Sequence, residues 1–182
     1  MTYCITVNNF LSKDECTNII DRYKDQELFD GKIKGGTEVD TNYRKSKINF
    51  YNIDDVSKKV YQKVTELIKF QNSVFNPIVN FQFTKYEVGD YYKWHLDYSS
   101  IREDLKNRYI SVVILLNDDF EGGDLEYKTN LGGIDKFDKG VGNLFIFNSS
   151  IEHRVTEIVK GVRYSLVSWL TIKQSNFVKT LL

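Results

Sequence analysis

Apolar positions recur at helical spacing in the first third of the chain and in short alternating runs over the rest, which predicts a helical beginning and a β-rich remainder. Ser12 stands three residues before Glu15, the pairing that closes a capping box, and the apolar positions that follow predict a helix to about Leu28. Gly31 to Asn42 is rich in Gly, Thr, Asp and Asn with almost nothing apolar, and predicts a flexible loop suited to act as a lid. Val56, Val60, Val64, Leu67 and Ile68 recur behind Asp54 and Asp55, predicting a second helix from Asp54 or Asp55 to Phe70 whose apolar stripe needs a sheet to cover.

From Ile78 the period shortens. Val79 to Tyr86, Ile110 to Leu116, Leu125 to Lys128, Asn143 to Asn148, Val155 to Val159 and Val162 to Ile172 are β-branched and aromatic stretches separated by Gly, Asn and Asp, a pattern of strands and turns. Many short strands behind two helices predict a mainly β fold with N-terminal helices, a cupin-like jelly roll whose double sheet controls edge strands and leaves a mouth for a site. Neither repeats nor linkers occur. With 182 residues one domain is expected, with helical support over about 12–70 and a β core over about 78–172.

Composition narrows the partners. Apolar residues at 41% and charged residues at 27% describe a globular chain rather than a disordered one. Twenty-five basic residues balance twenty-five acidic ones, so no overall field gathers a phosphate backbone or anionic lipid, although a local basic patch stays open. Cys4 and Cys16 form neither a CxxC pair nor a disulfide framework, which fits a reducing compartment. The start of the chain lacks a basic flank and an apolar segment. The longest apolar run, Ile110 to Leu116, is too short to span a bilayer, so the expected location is cytoplasmic, with no membrane partner.

The chain has only two histidines, His95 and His153. In Trp94-His95-Leu96-Asp97 an extended strand would put imidazole and carboxylate on one face with Cα atoms about 6.5 Å apart, close enough to chelate one metal. A lone His-x-Asp is more often a strand histidine beside a solvated carboxylate, so the pair needs a third ligand. His153 is the histidine left to supply it. Two histidines and a carboxylate on one face of an octahedron leave three positions open for substrate and O2; the same set suits zinc with one open position.

Arg163 follows His153 by ten residues, with Lys160-Gly161 predicting a hairpin turn between them. If Val159 pairs with Val162, Arg163 lies opposite Ile158, about 16 Å along the strand from His153, a gap that an extended dicarboxylate and a long side chain mostly bridge. A guanidinium fork suits a carboxylate, and Ser165 on the same face adds a hydroxyl. Arginines more commonly serve structural ion pairs; the register with His153 is what argues for ligand binding here.

Several stretches, taken in order, resemble one family. Tyr86-Glu-Val-Gly89-Asp-Tyr-Tyr92-Lys-Trp-His95-Leu-Asp97-Tyr98 is similar to the Y-x-x-G … Y-x-x-H-x-D segment of the prolyl 4-hydroxylase-like 2-oxoglutarate/Fe(II) dioxygenases, including their small bacterial and viral members. Asn117 to Leu125, with Gly122-Gly123, resembles the family's double-glycine turn, and Gly142 to Phe147 the strand before its distal histidine. His153 to Trp169, with Arg163 and Ser165, resembles its closing motif, and Tyr43-Arg44-Lys45-Ser46 an upstream Arg-x-Ser stretch near the substrate side.

The resemblance implies a double-stranded β-helix. It implies Fe(II) held by His95, Asp97 and His153, and 2-oxoglutarate held by Arg163 with Ser165. Tyr86 and Tyr92 would line the co-substrate pocket and Trp169 would pack near the metal. It further implies O2 as co-substrate, ascorbate as an accompanying reductant, and hydroxylation of an unactivated C–H bond with release of succinate and CO2. By analogy the substrate is a prolyl residue in a peptide or protein, gripped by the loops Gly31 to Tyr43 and Ser99 to Asn107. One departure is Leu115, which stands where some relatives carry a pocket tyrosine. Three alternatives stay open. AlkB-like nucleic acid demethylases carry a second arginine six residues past the first, and here Trp169 occupies that place, which with the balanced charge ranks nucleic acid below peptide. The others are a zinc hydrolase and a non-catalytic jelly-roll binding protein. A viral source would move the location to the host cytoplasm.

Overall fold

The computed structural model describes residues 4–33, 38–68, 75–101 and 105–172. Its elements begin with β1 (Cys4–Val7), α1 (Lys13–Tyr23), β2 (Phe29–Asp30), β3 (Arg44–Lys45), β4 (Lys47–Tyr51) and α2 (Asp54–Leu67). Then come β5 (Phe81–Tyr86), β6 (Tyr91–His95), β7 (Arg108–Leu115), β8 (Glu121–Gly122), β9 (Leu125–Lys128) and β10 (Ile134–Lys136). The last are β11 (Leu144–Asn148), β12 (His153–Val155), β13 (Ile158–Lys160) and β14 (Arg163–Thr171). All pairings between these strands are antiparallel. A seven-stranded sheet runs β1-β11-β7-β14-β5-β4-β2, a five-stranded sheet runs β10-β9-β12-β6-β3, and β13 pairs with β8. The mainly β expectation with helices near the start therefore holds.

α1 starts where its cap dictates. Glu15 N donates to Ser12 Oγ at 3.1 Å and Ser12 N donates back to Glu15 Oε2 at 2.8 Å, so two orphan amides are satisfied reciprocally. It ends at Tyr23, not at about Leu28. Lys24 to Glu27 are four exposed polar residues, so another turn would bury nothing, and Leu28 reaches the core from the connection instead. α2 begins at Asp54 as expected, and the extension to Phe70 falls on residues 69–70, outside the described residues.

Strand alternation decides what each face of the large sheet meets. Val112 and Ile114 of β7, with Leu166 and Leu170 of β14, pack against Cys16, Ile19, Val56, Val60 and Val64, so both helices cover the outer face. Val60 and Val64 are fully buried there, each worth about 1.5–3 kcal/mol of transfer free energy, and a charge at either position would detach α2. The intervening Val113 and Leu115, with Phe145 and Phe147, pack against Leu125, Val155 and Ile158, so the five-stranded sheet closes on the inner face.

Three strand expectations change. The single strand expected over Val155 to Val159 is two, because Thr156 exchanges hydrogen bonds with Asp124 and Glu157 O accepts from Gly123 N, turning the chain between β12 and β13. The Val159–Val162 hairpin does not form: β13 pairs with β8 while β14 enters the large sheet between β5 and β7. Gly161 makes that sheet change at φ 78°, where a Cβ would also strike Asp119 O. Strands β1 and β4, which extend the large sheet, were not expected; β4 is half-buried on both faces and so shows little alternation. Among the described residues no helix is long and apolar enough to cross a membrane.

Candidate metal centre

The smaller sheet brings the two histidines together. β6 ends at His95, β12 begins at His153, and the two face each other in register, with ring centroids 4.1 Å apart. Asp97 lies beyond the end of β6, not on it as expected. Its position is set from outside its own strand: the Asp97 and Tyr98 amides both donate to Ser149 O, at 3.0 and 2.9 Å.

One ligand atom from each of His95, Asp97 and His153 lies within 4.8 Å of the others. His95 Nε2 stands 3.7 Å from Asp97 Oδ1, and His153 Nε2 3.6 Å from Asp97 Oδ2. Nδ1 of His95 is 2.8 Å from Lys93 O and Nδ1 of His153 is 2.9 Å from Ile151 O. A carbonyl only accepts, so each Nδ1 carries a proton and each Nε2 is turned towards the carboxylate. Ser111 Oγ donates to Asp97 Oδ2 at 2.7 Å and meets Ser149 Oγ at 2.9 Å, and both serines are fully buried.

Electrostatics reinforce that arrangement. Burial, then the neighbouring His153, push the His95 imidazole down to about 3, so it stays neutral at ordinary pH. For Asp97 burial opposes the charge, but His153, His95 and the Ser111 hydroxyl outweigh it and hold the carboxyl at about 2. Two imidazole Nε2 atoms and an anionic carboxylate thus converge on one point. A divalent cation suits such a cluster, and imidazole with carboxylate is a donor set that fits Fe(II).

The facing wall belongs to the large sheet. β14 alternates so that Arg163, Ser165, Val167 and Trp169 all line the cavity, opposite the direction of Leu166 and Leu170. Arg163 is 2% exposed; its Nη1 donates to Ser165 Oγ at 2.9 Å, while its buried Nε has no partner. Among the described residues no carboxylate lies within ion-pair distance of it. Burial pushes its pKa down, with Tyr86 and Asp124 opposing, and the guanidinium sits 5.4 Å from the Tyr86 ring centre. Arg163 is in register with Tyr86, not with Ile158, so the expected hairpin geometry is replaced by a reach across the gap between sheets. Leu115 pairs with Ser165 and packs into the apolar layer between the sheets.

Both walls enclose one cavity of about 930 Å³, lined by His95, Asp97, His153, Arg163, Ser165, Tyr86 and Tyr92 among others. Trp169 lines it too, with Arg108 stacked 3.6 Å over its ring. Lys32, Ile33, Asp40, Tyr43 and Leu105 bring the two candidate gripping loops to the mouth, while residues 34–37 and 102–104 of those loops fall outside the described residues. Phe29 and Phe50, half-exposed, complete the rim. Sequence reasoning missed Ser111 and Ser149. The first had a signal, a small polar residue inside the apolar run Ile110 to Leu116 that needs a buried partner; the second had none.

Two antiparallel sheets closing on an N₂O donor set with an open side describe the class of mononuclear non-haem metal proteins. Residues 81–171 match the family model described as 2OG-Fe(II) oxygenase superfamily, and the chain belongs to that superfamily. It is 35% identical over 104 residues to a PKHD-type hydroxylase of Thermosynechococcus vestitus, covering 55% of this chain and 45% of that relative, so the match spans less than half the relative's length. In fold it is similar to a Pseudomonas putida prolyl-4-hydroxylase, with a TM-score of 0.79 at 20% identity over 96% of this chain and 95% of that one. A prolyl hydroxylase from Trichoplax adhaerens, solved with a hypoxia inducible factor peptide fragment, gives a TM-score of 0.77 at 20% identity over 98% and 87%.

Proposed function

We propose that the chain is an Fe(II)- and 2-oxoglutarate-dependent dioxygenase that hydroxylates an unactivated C–H bond, with a prolyl residue in a peptide or protein as substrate. The observation that carries this reading is a buried, uncompensated guanidinium sharing one cavity with three converging metal donors. A buried cation is costly unless an anion joins it. A dicarboxylate reaching from metal to Arg163 supplies that anion, whereas a zinc hydrolase has no use for it.

Bound Fe(II) supplies the O2-dependent oxidising chemistry, with 2-oxoglutarate converted to succinate and CO2 as co-substrate. The chain's residues do the rest. His95 and His153 commit their Nδ1 protons to backbone carbonyls and so turn Nε2 towards the metal position. Asp97 contributes one negative charge, leaving a face for other ligands. Arg163 and Ser165 grip the distal carboxylate, Tyr86 and Tyr92 wall the co-substrate pocket, and the sheets exclude water from it. No side chain need act as acid or base. The part of the cavity rimmed by Phe29 and Phe50 takes the substrate, a reading supported by the peptide-bound prolyl hydroxylase that shares this fold.

In this reading the two sheets form a jelly roll, residues 1–182 work as one domain, ascorbate keeps the iron reduced, and the protein acts in the cytoplasm. The test is incubation with Fe(II), 2-oxoglutarate, O2 and proline-containing peptides. Product one oxygen atom heavier, formed with succinate and dependent on 2-oxoglutarate, is expected. Turnover of lysine or free amino acids redirects the substrate; turnover of alkylated oligonucleotides favours the demethylase reading; hydrolysis with zinc and no succinate overturns the assignment.

A further inference from the structure

Arg44 is a second buried cation in the same cavity, 6% exposed. Its Nε donates to Ser46 Oγ at 2.9 Å and its Nη1 to Lys32 O at 3.2 Å, and among the described residues no carboxylate lies within ion-pair distance. It stands on β3, a two-residue edge strand in register with Tyr92 of β6. The guanidinium lies over the Tyr92 ring, 4.6 Å from its centre. The Tyr92 ring in turn stacks on the His95 imidazole, with centres 3.5 Å apart and planes 15° off parallel. An imidazole that close leaves no room on its face, so Arg44 occupies the other, and Tyr43 meets the ring edge-on.

The chain makes room for this column. A Cβ on Gly31 would collide with Arg44 Nε and Cζ and with Ser46 Oγ, and the Gly31 amide donates to Ser46 O at 2.8 Å. Without Arg44 the outer face of Tyr92 would look into the open cavity and the ring would be free to swing. His95 would keep its Nδ1 bond to Lys93 O, which leaves the imidazole able to tilt about that bond.

We propose that Arg44 is a positioning residue for the metal centre, clamping Tyr92 from outside so that its ring holds the His95 imidazole in ligating orientation. The proposal rests on the metal reading of His95. Charge alone gives the opposite sign: removing a cation near a divalent metal would tighten binding, whereas losing a clamp weakens it.

Titration of the metal-free full chain with Co(II), without 2-oxoglutarate, reads that sign, and the visible Co(II) bands report ligand geometry. Arg44→Ala is expected to weaken Co(II) roughly tenfold and to alter the bands. Gly31→Ala, which displaces Arg44 while leaving it and Tyr92 chemically intact, should do the same, and it decides the matter if Arg44→Ala fails to fold. Arg44→Lys should recover most of the affinity lost in Arg44→Ala. Tyr92→Phe should bind as the wild type does and Tyr92→Leu as weakly as Arg44→Ala, with the double Arg44→Ala/Tyr92→Leu no weaker than either single. Unchanged or tighter Co(II) binding with unaltered bands, or additive losses in the double, overturns the clamp alone. No Co(II) uptake by the wild type overturns both the clamp and the metal reading.

Discussion

Replacing Arg163 by methionine removes the charge and keeps most of the buried volume, and the two consequences have opposite signs. In the metal-bound protein the guanidinium fork should make two charge-assisted hydrogen bonds to the distal carboxylate of 2-oxoglutarate, at about 1.5–3 kcal/mol each. Their loss costs about 3–6 kcal/mol, and each 1.4 kcal/mol is about tenfold, so affinity should fall by roughly two to four powers of ten. In the ligand-free protein the same side chain is 2% exposed with an unpartnered Nε and no carboxylate beside it among the described residues, so its charge is a burden to the fold. Replacing such a cation with an apolar side chain of similar size is commonly neutral or stabilising. The assay is thermal unfolding with Mn(II) in place of iron, titrated with 2-oxoglutarate. Wild type should be stabilised by about 2.7 kcal/mol at a hundred times its Kd, while Arg163→Met at the same concentration should gain almost nothing. Its ligand-free melting temperature should equal or exceed that of the wild type. Retained 2-oxoglutarate affinity, or a lower ligand-free melting temperature, would show that Arg163 serves the fold and refute the ligand argument.

His95→Ala and His153→Ala should each abolish stoichiometric Fe(II) or Co(II) uptake, read by metal analysis after dialysis; a variant that retains metal removes that histidine from the site. Burial holds His95 at about 3 against 6.5 when exposed, so between those values the unfolded chain binds a proton that the folded chain does not. Stability of the metal-free protein should therefore rise with pH through that window. Asp97, held at about 2 from 3.8, adds the same slope at lower pH. Urea midpoints that fail to drop between pH 7 and pH 4 would contradict this. Ser111→Ala removes the fully buried donor to Asp97 Oδ2, so it should cost about 1–3 kcal/mol in urea unfolding and roughly tenfold in Co(II) affinity. Phe29→Ala and Phe50→Ala, half-exposed at the rim, should shift stability by no more than about 0.5 kcal/mol while raising KM for a peptide substrate; an unchanged KM would move the substrate elsewhere.

Much of the site was legible because its chemistry is carried by scarce residues. With two histidines in the chain, His95 and His153 had few rivals as metal donors, and the spacing of His95 and Asp97 pointed to a chelate even though Asp97 turned out to lie past the strand end. Arg163 was reached by a faulty route. The expected hairpin put it on the same sheet as His153, yet it faces the metal donors from the opposite sheet. The error was tolerable because alternation along β14 holds whichever partner the strand takes, so Arg163 and Ser165 share a face in either arrangement.

What the chain determined by itself is therefore local: the capping box that starts α1, the apolar stripe of α2, the alternation that divides each strand between core and cavity, and the side chains able to bind a metal and a carboxylate. These follow from periods of 3.6 and 2 residues and from functional-group chemistry, which operate over a few positions. Tertiary structure alone decided that Ser149, 52 residues after Asp97, anchors it, that Arg44 stacks behind Tyr92, and that Arg163 faces the histidines across the cavity. Those contacts depend on how two twisted sheets pack about 10 Å apart, a balance of burial over the whole core that no short stretch of sequence encodes.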